Sequence, residues 1–327
     1  MKNSILRMLM NKEGDYISGE KISNDLSVSR TAIWKHINTL KKEGYNIISL
    51  PRKGYCIEKR SDIISSVEIG TGLETKVVGQ NLFCFSSVDS TNKVAKNEAA
   101  KGCQEGTVVV ADKQDEGKGR LNRNWVSPSG RGLWFSIVLR PDIDPPRASQ
   151  LTFVSAVAVC RSLQTLTGLE LNIKWPNDIL FKGKKVCGIL TELSAEIDKV
   201  NYVVVGIGIN INHTIDDFPL ELRDTATSLT QISGQNYNRP ALLRSILLEY
   251  EKQYFDYQEK GFMQILDSWR KLNTTLGKKV KVNTREESYY GVAEDINEEG
   301  CLIVRKESGE VVELMAGDVS LRGTLDD

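Results

Sequence analysis

The chain has 327 residues, of which 40% are hydrophobic and 26% charged, an ordinary composition for a globular protein. Since domains usually contain about 100–200 residues, this length predicts two or three structural units. A run of about 18 apolar residues is lacking, which argues against a transmembrane helix. The amino-terminal stretch also lacks the features of a signal peptide. We therefore expect no membrane partner and a cytoplasmic location.

Cysteine and histidine usage excludes several kinds of site. The six cysteines form no C-x-x-C pair, and His36 and His213 are the only histidines. This distribution argues against a structural zinc site and against a disulfide framework. It also makes a Ser-His-Asp arrangement implausible, and no GxxxxGK[ST] phosphate loop occurs.

The net charge is zero, but it is unevenly distributed. Residues 1–60 hold 12 Lys and Arg against 6 Asp and Glu, whereas the remainder holds 31 against 37. A basic front end on a mildly acidic body suggests a module that faces nucleic acid, joined to a different kind of domain.

Residues 1–60 carry the pattern of a winged helix-turn-helix. Apolar residues fall at helical spacing over residues 4–10, 20–26 and 30–43, and Gly44 ends the third segment. Two β-like runs around residues 51–54 then predict a hairpin with a basic tip. The third helix is the expected recognition helix.

The polar face of the third helix and the hairpin tip are the expected DNA contacts. The predicted contact residues are Ser29, Arg30, Thr31, Trp34, Lys35, Asn38, Arg52 and Lys53. Among them, Trp34 is expected to be a core or docking residue rather than a base-stacking one. The alternative is a set of solvated charges on a small helical domain that binds protein. Residues 29–45, SRTAIWKHINTLKKEGY, resemble the N-terminal domain of bifunctional biotin ligase/repressors.

The rest of the chain predicts a linker over residues 61–76, a central domain over 77–273 and a C-terminal domain over 274–327. The linker is polar, with one short helix expected. In the central domain, strands follow one another with few helices, which favours a mixed sheet over a doubly wound one. LNIKWPNDILF, KVCGILTEL and YVVVGIGININ are each expected to form one strand. A helical stretch over 240–272 precedes short strands, ending in VSLR, typical of an SH3-like barrel.

Four segments of the central domain carry side chains suited to chemistry: residues 89–92, 117–128, 174–178 and 183–190. In the second, GKGRLNRNWVSP, the glycines allow close backbone approach to a ligand and the arginines suit phosphate or carboxylate. Taken alone, this segment is equally consistent with a ligand-binding loop and with a basic surface loop. In the fourth, Lys185 begins an apolar strand, where its ammonium could be held near an anion, although such a lysine is usually solvated.

The GIGIN segment, residues 206–210, invites a dinucleotide-binding interpretation. It lacks the third glycine and the following helix of that fingerprint. We therefore predict a strand whose glycines allow a ligand or another backbone to approach. If a nucleotide is bound, the loop that begins at Gly117 is the best candidate.

The segments DSTN, GKGRLNRNW-SP, KWPND, GKKVCGIL-E and GIGIN, in this order, resemble the catalytic domain of biotin–protein ligases. With the winged helix before them and LMAGDVSLR near the end, the resemblance covers nearly the whole chain and matches the class that both biotinylates and represses. The implied fold is α+β: a winged helix-turn-helix, a mixed-sheet α/β ligase domain and an SH3-like β-barrel.

This resemblance implies a reaction in two steps and several partners. The biotin carboxylate attacks the α-phosphate of ATP, carried with Mg²⁺, to give biotinyl-5′-adenylate and pyrophosphate. A lysine of a biotin carboxyl carrier protein then attacks the mixed anhydride, and AMP leaves. Operator DNA is the other implied partner, bound by a homodimer that forms when biotinyl-AMP is present.

The resemblance also implies roles for individual residues. Attack of an anion on a polyanion needs charge neutralisation more than a nucleophilic side chain, so Lys185 and Arg120 are the catalytic candidates. The implied biotin site comprises Ser90, Thr91, Asn92, Gln114, Gly117, Lys118, Gly119, Arg120, Lys185, Gly188, Gly206 and Gly208. The implied ATP and adenylate site comprises Arg120, Arg123, Trp125, Lys174, Asn177, Asp178, Lys185 and Asn210. No metal site made by protein side chains alone is expected.

One residue departs from the family pattern, because Lys118 stands where the loop usually has an arginine. Lysine keeps the charge but loses the planar fork. Two other functions remain open: a biotin-sensing repressor without catalysis, and a lipoate-type acyl ligase. The intact Lys185 and Arg120 favour catalysis, and the GKGR loop with its DNA-binding front end favours biotin. The C-terminal domain is implied to help ATP binding and carrier docking, the alternative being a stability cap.

Overall fold

The computed structural model describes residues 1–284, 287–315 and 318–321. Its contacts divide the chain into two compact units, Met1–Leu73 with Asn238–Arg244, and Glu74–Tyr237 with Ser245–Asp327. The first unit therefore continues past residue 60 into the predicted linker, and it includes a short segment from much later in the chain.

The first unit begins with three helices and a hairpin, which confirms the winged helix-turn-helix. Its elements are α1 (Lys2–Met10), α2 (Gly19–Leu26), α3 (Arg30–Lys42), β1 (Ile47–Leu50), β2 (Gly54–Ile57) and α4 (Ser66–Gly70). Ser18 and Ser29 cap α2 and α3 by accepting backbone N–H bonds from Lys21 and Ala32. Between these helices Ser27 turns the chain with a left-handed φ of 54°.

Residues of the predicted linker pack within the first unit because their polar groups find partners there. The Asp62 carboxylate accepts from the backbone N and Nε of Arg239 at 2.7 and 2.8 Å. The side-chain amide of Asn238 donates to the carbonyl of Ser61. In α4, the helix expected in this segment, Glu68 is buried. Burial raises the pKa of Glu68 to about 7.

The second unit opens with an α/β region built on one large sheet. Its elements are β3 (Leu82–Phe85), α5 (Thr91–Ala100), β4 (Val108–Ala111), β5 (Gly132–Leu139), α6 (Gln150–Thr167), β6 (Asn172–Lys174), β7 (Asp178–Phe181), β8 (Lys184–Ala195), β9 (Val200–Asn210) and α7 (Leu229–Ser233). The seven strands lie in the order β3-β4-β5-β9-β8-β7-β6. The β3–β4 pair is parallel and the other five pairs are antiparallel, so the expected mixed sheet is confirmed.

One strand prediction is wrong. LNIKWPNDILF forms two antiparallel strands, β6 and β7, because residues 175–177 reverse the chain. Pro176 has no N–H to continue a ladder, and the N–H of the buried Trp175 bonds to Thr275 Oγ1 at 2.9 Å instead of to a strand. The GIGIN segment, by contrast, lies inside β9 between β5 and β8, as expected.

The last part of the chain holds two helices and a small sheet. The predicted helical stretch is divided at Gly261, whose φ is +81°, into α8 (Arg239–Lys260) and α9 (Phe262–Leu272). The strands are β10 (Lys279–Asn283), β11 (Ser288–Ile296), β12 (Leu302–Lys306), β13 (Val311–Leu314) and β14 (Asp318–Leu321). They pair antiparallel in the order β13-β12-β11-β10-β14. Arg322 of the predicted VSLR strand and residues 316–317 of LMAGD lie outside the described residues.

Within residues 1–284, 287–315 and 318–321, no helix combines the length and the apolarity that crossing a bilayer requires.

Candidate active site

A cavity of about 700 Å³ lies in the second unit, next to the central strands of the large sheet. Its walls come from the start of α5, the loop over residues 118–126, the β6–β7 hairpin, strands β8 and β9, and residues 218–226. Of the 18 residues implied for biotin and ATP, 17 line this cavity. They are Ser90, Thr91, Asn92, Gln114, Lys118, Gly119, Arg120, Arg123, Trp125, Lys174, Asn177, Asp178, Lys185, Gly188, Gly206, Gly208 and Asn210. Five separate sequence segments thus converge on one space.

Gly117 is the exception, and its position explains why a glycine is needed there. A Cβ on Gly117 would lie 2.4 Å from the carbonyl oxygen of Trp125. The carbonyl of Gly117 accepts a hydrogen bond from Trp125 N at 2.8 Å. Gly117 therefore closes the base of the loop, where a side chain would force the two strands apart.

Polar side chains at the start of α5 form one end of the cavity. The backbone N of Thr91 donates to Gln114 Oε1 at 2.9 Å, and Gln114 Nε2 donates to Ser127 Oγ at 2.9 Å. Thr91 and Asn92 are almost fully buried. These bonds hold the polar groups in fixed positions, as a binding site for a small polar ligand requires.

Three glycines form the floor beside this end, and each is in close contact with a larger side chain. A Cβ on Gly206 would lie 2.0 Å from Asn92 Oδ1, and one on Gly208 would lie 2.4 Å from Trp125 Nε1. At Gly188 the Cβ would lie 2.9 Å from the Trp125 ring. The indole of Trp125 therefore packs directly on the glycines of β8 and β9.

Lys185 lies at the centre of the charged part of the cavity. Its Nζ is 2.7 Å from Asp178 Oδ1 and 5.1 Å from the centre of the Trp125 ring. Its backbone is fixed by residues 225–227, since Lys185 N donates to the carbonyl of Thr225 and Thr227 N donates to the carbonyl of Lys185. A cation held in this way is positioned for an anionic ligand.

The loop predicted to bind the ligand is a short hairpin. Gly119 N donates to the carbonyl of Arg123 at 2.8 Å, and Lys118 and Asn124 form a bridge. At its tip Leu121 has a φ of 55° and is 63% exposed. The Nη1 of Arg120 is 3.4 Å from Asn177 Oδ1, which places the guanidinium beside the KWPND turn.

The charge of the cavity wall is strongly positive. Among the described residues, seven basic ones line it, namely Lys118, Arg120, Arg123, Lys174, Lys182, Lys184 and Lys185, against two acidic ones, Asp178 and Asp224. Such an excess favours polyanionic ligands. Beneath Lys185, burial raises the pKa of the Cys187 thiol, so this cysteine stays protonated at neutral pH and is not a nucleophile.

Several residues of the site were missed by the sequence analysis. Ser136 Oγ lies 2.8 Å from Thr91 Oγ1, and Glu192 accepts from Asn92 Nδ2 at 2.8 Å. A signal existed for Ser136, which is the single polar residue of the apolar strand GLWFSIVL. Asn283 and Val319 of the C-terminal sheet also line the cavity.

In the first unit, the predicted DNA-contact residues form an exposed surface. Ser29, Arg30, Thr31, Trp34, Lys35, Arg52 and Lys53 are exposed, and Asn38 is half-buried. Trp34 is 57% exposed and lies on the face of α3 opposite Ile33, Ile37 and Leu40, so of its two expected roles, core or docking, the core is excluded. Arg30 makes an exposed ion pair with Glu20 at 3.2 Å.

Three family models match the chain in the order of its predicted domains. The HTH domain matches residues 2–56, the Biotin/lipoate A/B protein ligase family matches residues 84–210, and the Biotin protein ligase C terminal domain matches residues 275–322.

Whole proteins of known name are similar over almost the full length. The bifunctional ligase/repressor BirA of Bacillus spizizenii is 43% identical over 98% of both chains, and that of Escherichia coli is 28% identical over 94% of both. A solved structure, the biotin protein ligase from Aquifex aeolicus in complex with biotin and ATP, is 33% identical. It covers 74% of this chain and 99% of its own, with a TM-score of 0.64.

Proposed function

Because this chain belongs to the family of bifunctional biotin protein ligase/repressors, we propose that its cavity binds biotin and ATP side by side. The chain is an ATP-dependent biotin–protein ligase with a DNA-binding repressor domain. The observation that carries the assignment of the site is the convergence of five motif segments on one basic cavity. Biotin is placed at the Thr91 end, where neutral polar groups are held, and the phosphates of ATP at the end that holds Lys185.

In the first step, an oxygen of the biotin carboxylate attacks the α-phosphorus of ATP and pyrophosphate leaves. Both reactants are anions, so the step requires positive charge where they meet. Lys185 supplies it, since its ammonium faces the cavity and is balanced by one carboxylate, that of Asp178, at 2.7 Å. Arg120, which lines the same space, adds a planar guanidinium suited to phosphate oxygens.

In the second step, the amine of a lysine on a biotin carboxyl carrier protein attacks the carbonyl carbon of the adenylate, and AMP leaves. The amine must lose a proton in this step, and Asp178 is the carboxylate placed to receive it. Trp125 is proposed to pack against the adenine, since its indole already lies over the floor of the cavity. Asn283 and Val319 support a contribution of the C-terminal domain to nucleotide binding.

The residues of the cavity also fit a magnesium ion that arrives with ATP. Mg²⁺ usually binds through one or two carboxylates together with substrate phosphates, and Asp178 and Asp224 are the carboxylates on the wall. When bound, the ion would neutralise phosphate charge.

For the repressor activity, we propose that α3 enters the major groove and that the β1–β2 hairpin reaches the backbone. The exposed residues of this surface support the assignment. Repression through a homodimer induced by biotinyl-AMP is part of the proposal, because two copies of a helix-turn-helix read two half-sites.

The test is a labelling reaction with the full chain, ATP, magnesium and a purified carrier domain. Biotin is expected to become attached to the carrier lysine, detected as a mass increase. Attachment of lipoate but not biotin would assign the chain to lipoate-type ligases. Binding of biotin without any adenylate or carrier labelling would make it a sensing repressor without catalysis.

A further inference from the structure

One wall of the cavity is formed by the segment that connects β9 to α7, residues 211–228, here called the wall segment. Its residues that line the cavity are Phe218, Leu222, Asp224, Thr225 and Ala226. The second half of the segment is fixed on Lys185, because Lys185 N donates to the carbonyl of Thr225 at 2.7 Å and Thr227 N donates to the carbonyl of Lys185 at 2.9 Å. The wall segment therefore lies at the end of the cavity where the phosphates of ATP are placed.

The first half of the wall segment is attached to the start of β5 by an ion pair. Asp217 Oδ2 lies 3.1 Å from Nε of Arg131, the residue that precedes β5. The same guanidinium donates through Nη1 to the carbonyl of Asn212 at 3.3 Å, and Asn212 N donates to the carbonyl of Arg131 at 2.6 Å. Arg131 thus holds the wall segment at two places, Asn212 and Asp217.

Asp217 also holds the turn to which it belongs. Its Oδ2 accepts from the backbone N of Thr214 at 2.7 Å and from Thr214 Oγ1 at 2.9 Å, across the short 3₁₀ turn Ile215–Asp217. An ionised carboxylate only accepts hydrogen bonds, so the N–H and hydroxyl groups are the donors in all of these contacts. The carboxylate of Asp217 therefore joins this turn to Arg131.

Phe218 connects this attachment to the cavity. It directly follows Asp217 and lines the cavity, whereas Arg131 and Asp217 are not among the described lining residues. The ring of Phe218 stacks on that of His213, with centres 5.0 Å apart, and His213 packs edge-on against Trp134 of β5 at 5.8 Å. The position of Phe218 thus depends on the ion pair next to it and on the aromatic stack beneath it.

We propose that Arg131 and Asp217 are positioning residues for ATP. Their ion pair holds the first half of the wall segment in place before the nucleotide binds, so that binding does not have to order it. Ordering a mobile segment during binding costs free energy and weakens affinity. The inference rests on the proposed function, which places ATP at this end of the cavity.

The test measures the KM for ATP in biotin-dependent pyrophosphate exchange, with variants of the full-length protein. Arg131→Met and Asp217→Asn each remove one charge of the pair, and the asparagine keeps an oxygen for Thr214. Each should raise this KM about threefold, the modest effect expected of a partly exposed ion pair. The double variant should also show about a threefold increase, since both substitutions remove the same interaction. The Kd for biotin, from calorimetric titration, should be unchanged in all three variants.

Hydrogen exchange in the absence of ligand tests the physical cause. The backbone amides of residues 214–218 should exchange faster in Arg131→Met than in the unsubstituted protein. Arg147→Met is the matched control, because it removes an exposed arginine that pairs with Asp144 in the same unit. It should change neither this exchange nor the KM for ATP.

The inference is overturned if either single variant has an unchanged KM for ATP, or if the two effects multiply in the double variant. Weaker biotin binding to the same extent would also overturn it, because the damage would then be general. Unchanged exchange in Arg131→Met would show that the wall segment is ordered without the ion pair. If the unsubstituted protein forms no adenylate from biotin and ATP, the proposed function fails, which is a distinguishable result.

Discussion

The recognition surface of the first unit and the cavity of the second differ in how their functional side chains are held. On α3, Lys35 and Trp34 are exposed, and Arg30 is held by one exposed ion pair. In the cavity, Thr91 and Asn92 are buried, and each makes hydrogen bonds to other side chains. One region presents groups to a partner, whereas the other fixes them before the ligand arrives.

This difference indicates how each region should respond to substitution. A preorganised site loses much of its function when one group moves, because its groups act together. Exposed side chains that contact a charged polymer contribute separately, and salt screens their contributions. Substitutions in each region therefore test this contrast.

Lys185→Ala should give the largest effect. The ammonium that faces the anionic reactants is lost, and adenylate formation should fall on the order of 10³-fold. Biotin-dependent exchange of pyrophosphate into ATP measures this step. Lys101→Ala removes an exposed lysine that pairs with Glu98, and it should leave the exchange unchanged. Full exchange activity in Lys185→Ala would refute the assignment of its role.

Gly208→Ala should have the next largest effect. The new Cβ would lie 2.4 Å from Trp125 Nε1, so the indole must move from the floor of the cavity. A displacement of this size in a preorganised site typically costs on the order of 10²-fold in kcat/KM. Gly19→Ala in α2, whose Cβ would make an ordinary 3.6 Å contact, is the control. Equal activity in the two variants would show that Trp125 does not constrain the site.

Lys35→Ala should have a smaller effect on operator binding. If Lys35 contacts a phosphate, its loss should weaken binding to all sequences alike and reduce the slope of log K against log salt by about 1. Fluorescence anisotropy at several salt concentrations measures both. Lys12→Ala, an exposed lysine outside the predicted surface, should leave the slope unchanged. A loss of sequence preference in Lys35→Ala would instead indicate a base contact.

The smallest expected effect concerns pH. Burial raises the pKa of Glu68 to about 7 in the folded chain, so the folded state binds this proton more tightly than the unfolded state does. The contribution of Glu68 to stability should therefore be greatest below about pH 4.5 and decrease as the pH rises towards 7. Arg60 and Arg244 oppose the shift without cancelling it. Hydrogen exchange of α4 against pH should show the decrease, and Glu68→Gln should abolish it.

Much of the fold could be predicted from periodicity and turn residues. Local sequence patterns predict the three N-terminal helices, their hairpin and the mixed sheet. Long-range contacts do not change the structure of these elements. The single strand predicted over LNIKWPNDILF failed because its apolar spacing continues through the turn, and the partner of Trp175, Thr275, lies 100 residues away. The sequence left Trp34 open between a core and a docking role, and its exposure on the polar face of α3 excludes the core.

The site was predictable only where glycines and charges form recognisable motifs. Ser136 and Glu192 belong to no recognisable motif. They are part of the site because β5 and β8 bring them into hydrogen-bond contact with Asn92 of α5. Their partner Asn92 is separated from them by 44 and 100 residues. Contacts at such separations depend on the three-dimensional arrangement, which the sequence does not display.

The packing of Trp125 provides an optical reporter. Its ring centre is 6.4 Å from that of Trp134 in an edge-to-face arrangement, and the ammonium of Lys185 lies 5.1 Å away. Indole emission responds to a nearby charge and to a neighbouring ring, so any rearrangement of the 118–126 loop should change its wavelength or intensity. The chain thus has an intrinsic fluorophore that lies both on the cavity wall and in the 118–126 loop. Stopped-flow fluorescence could therefore time ligand entry and loop movement without an added label.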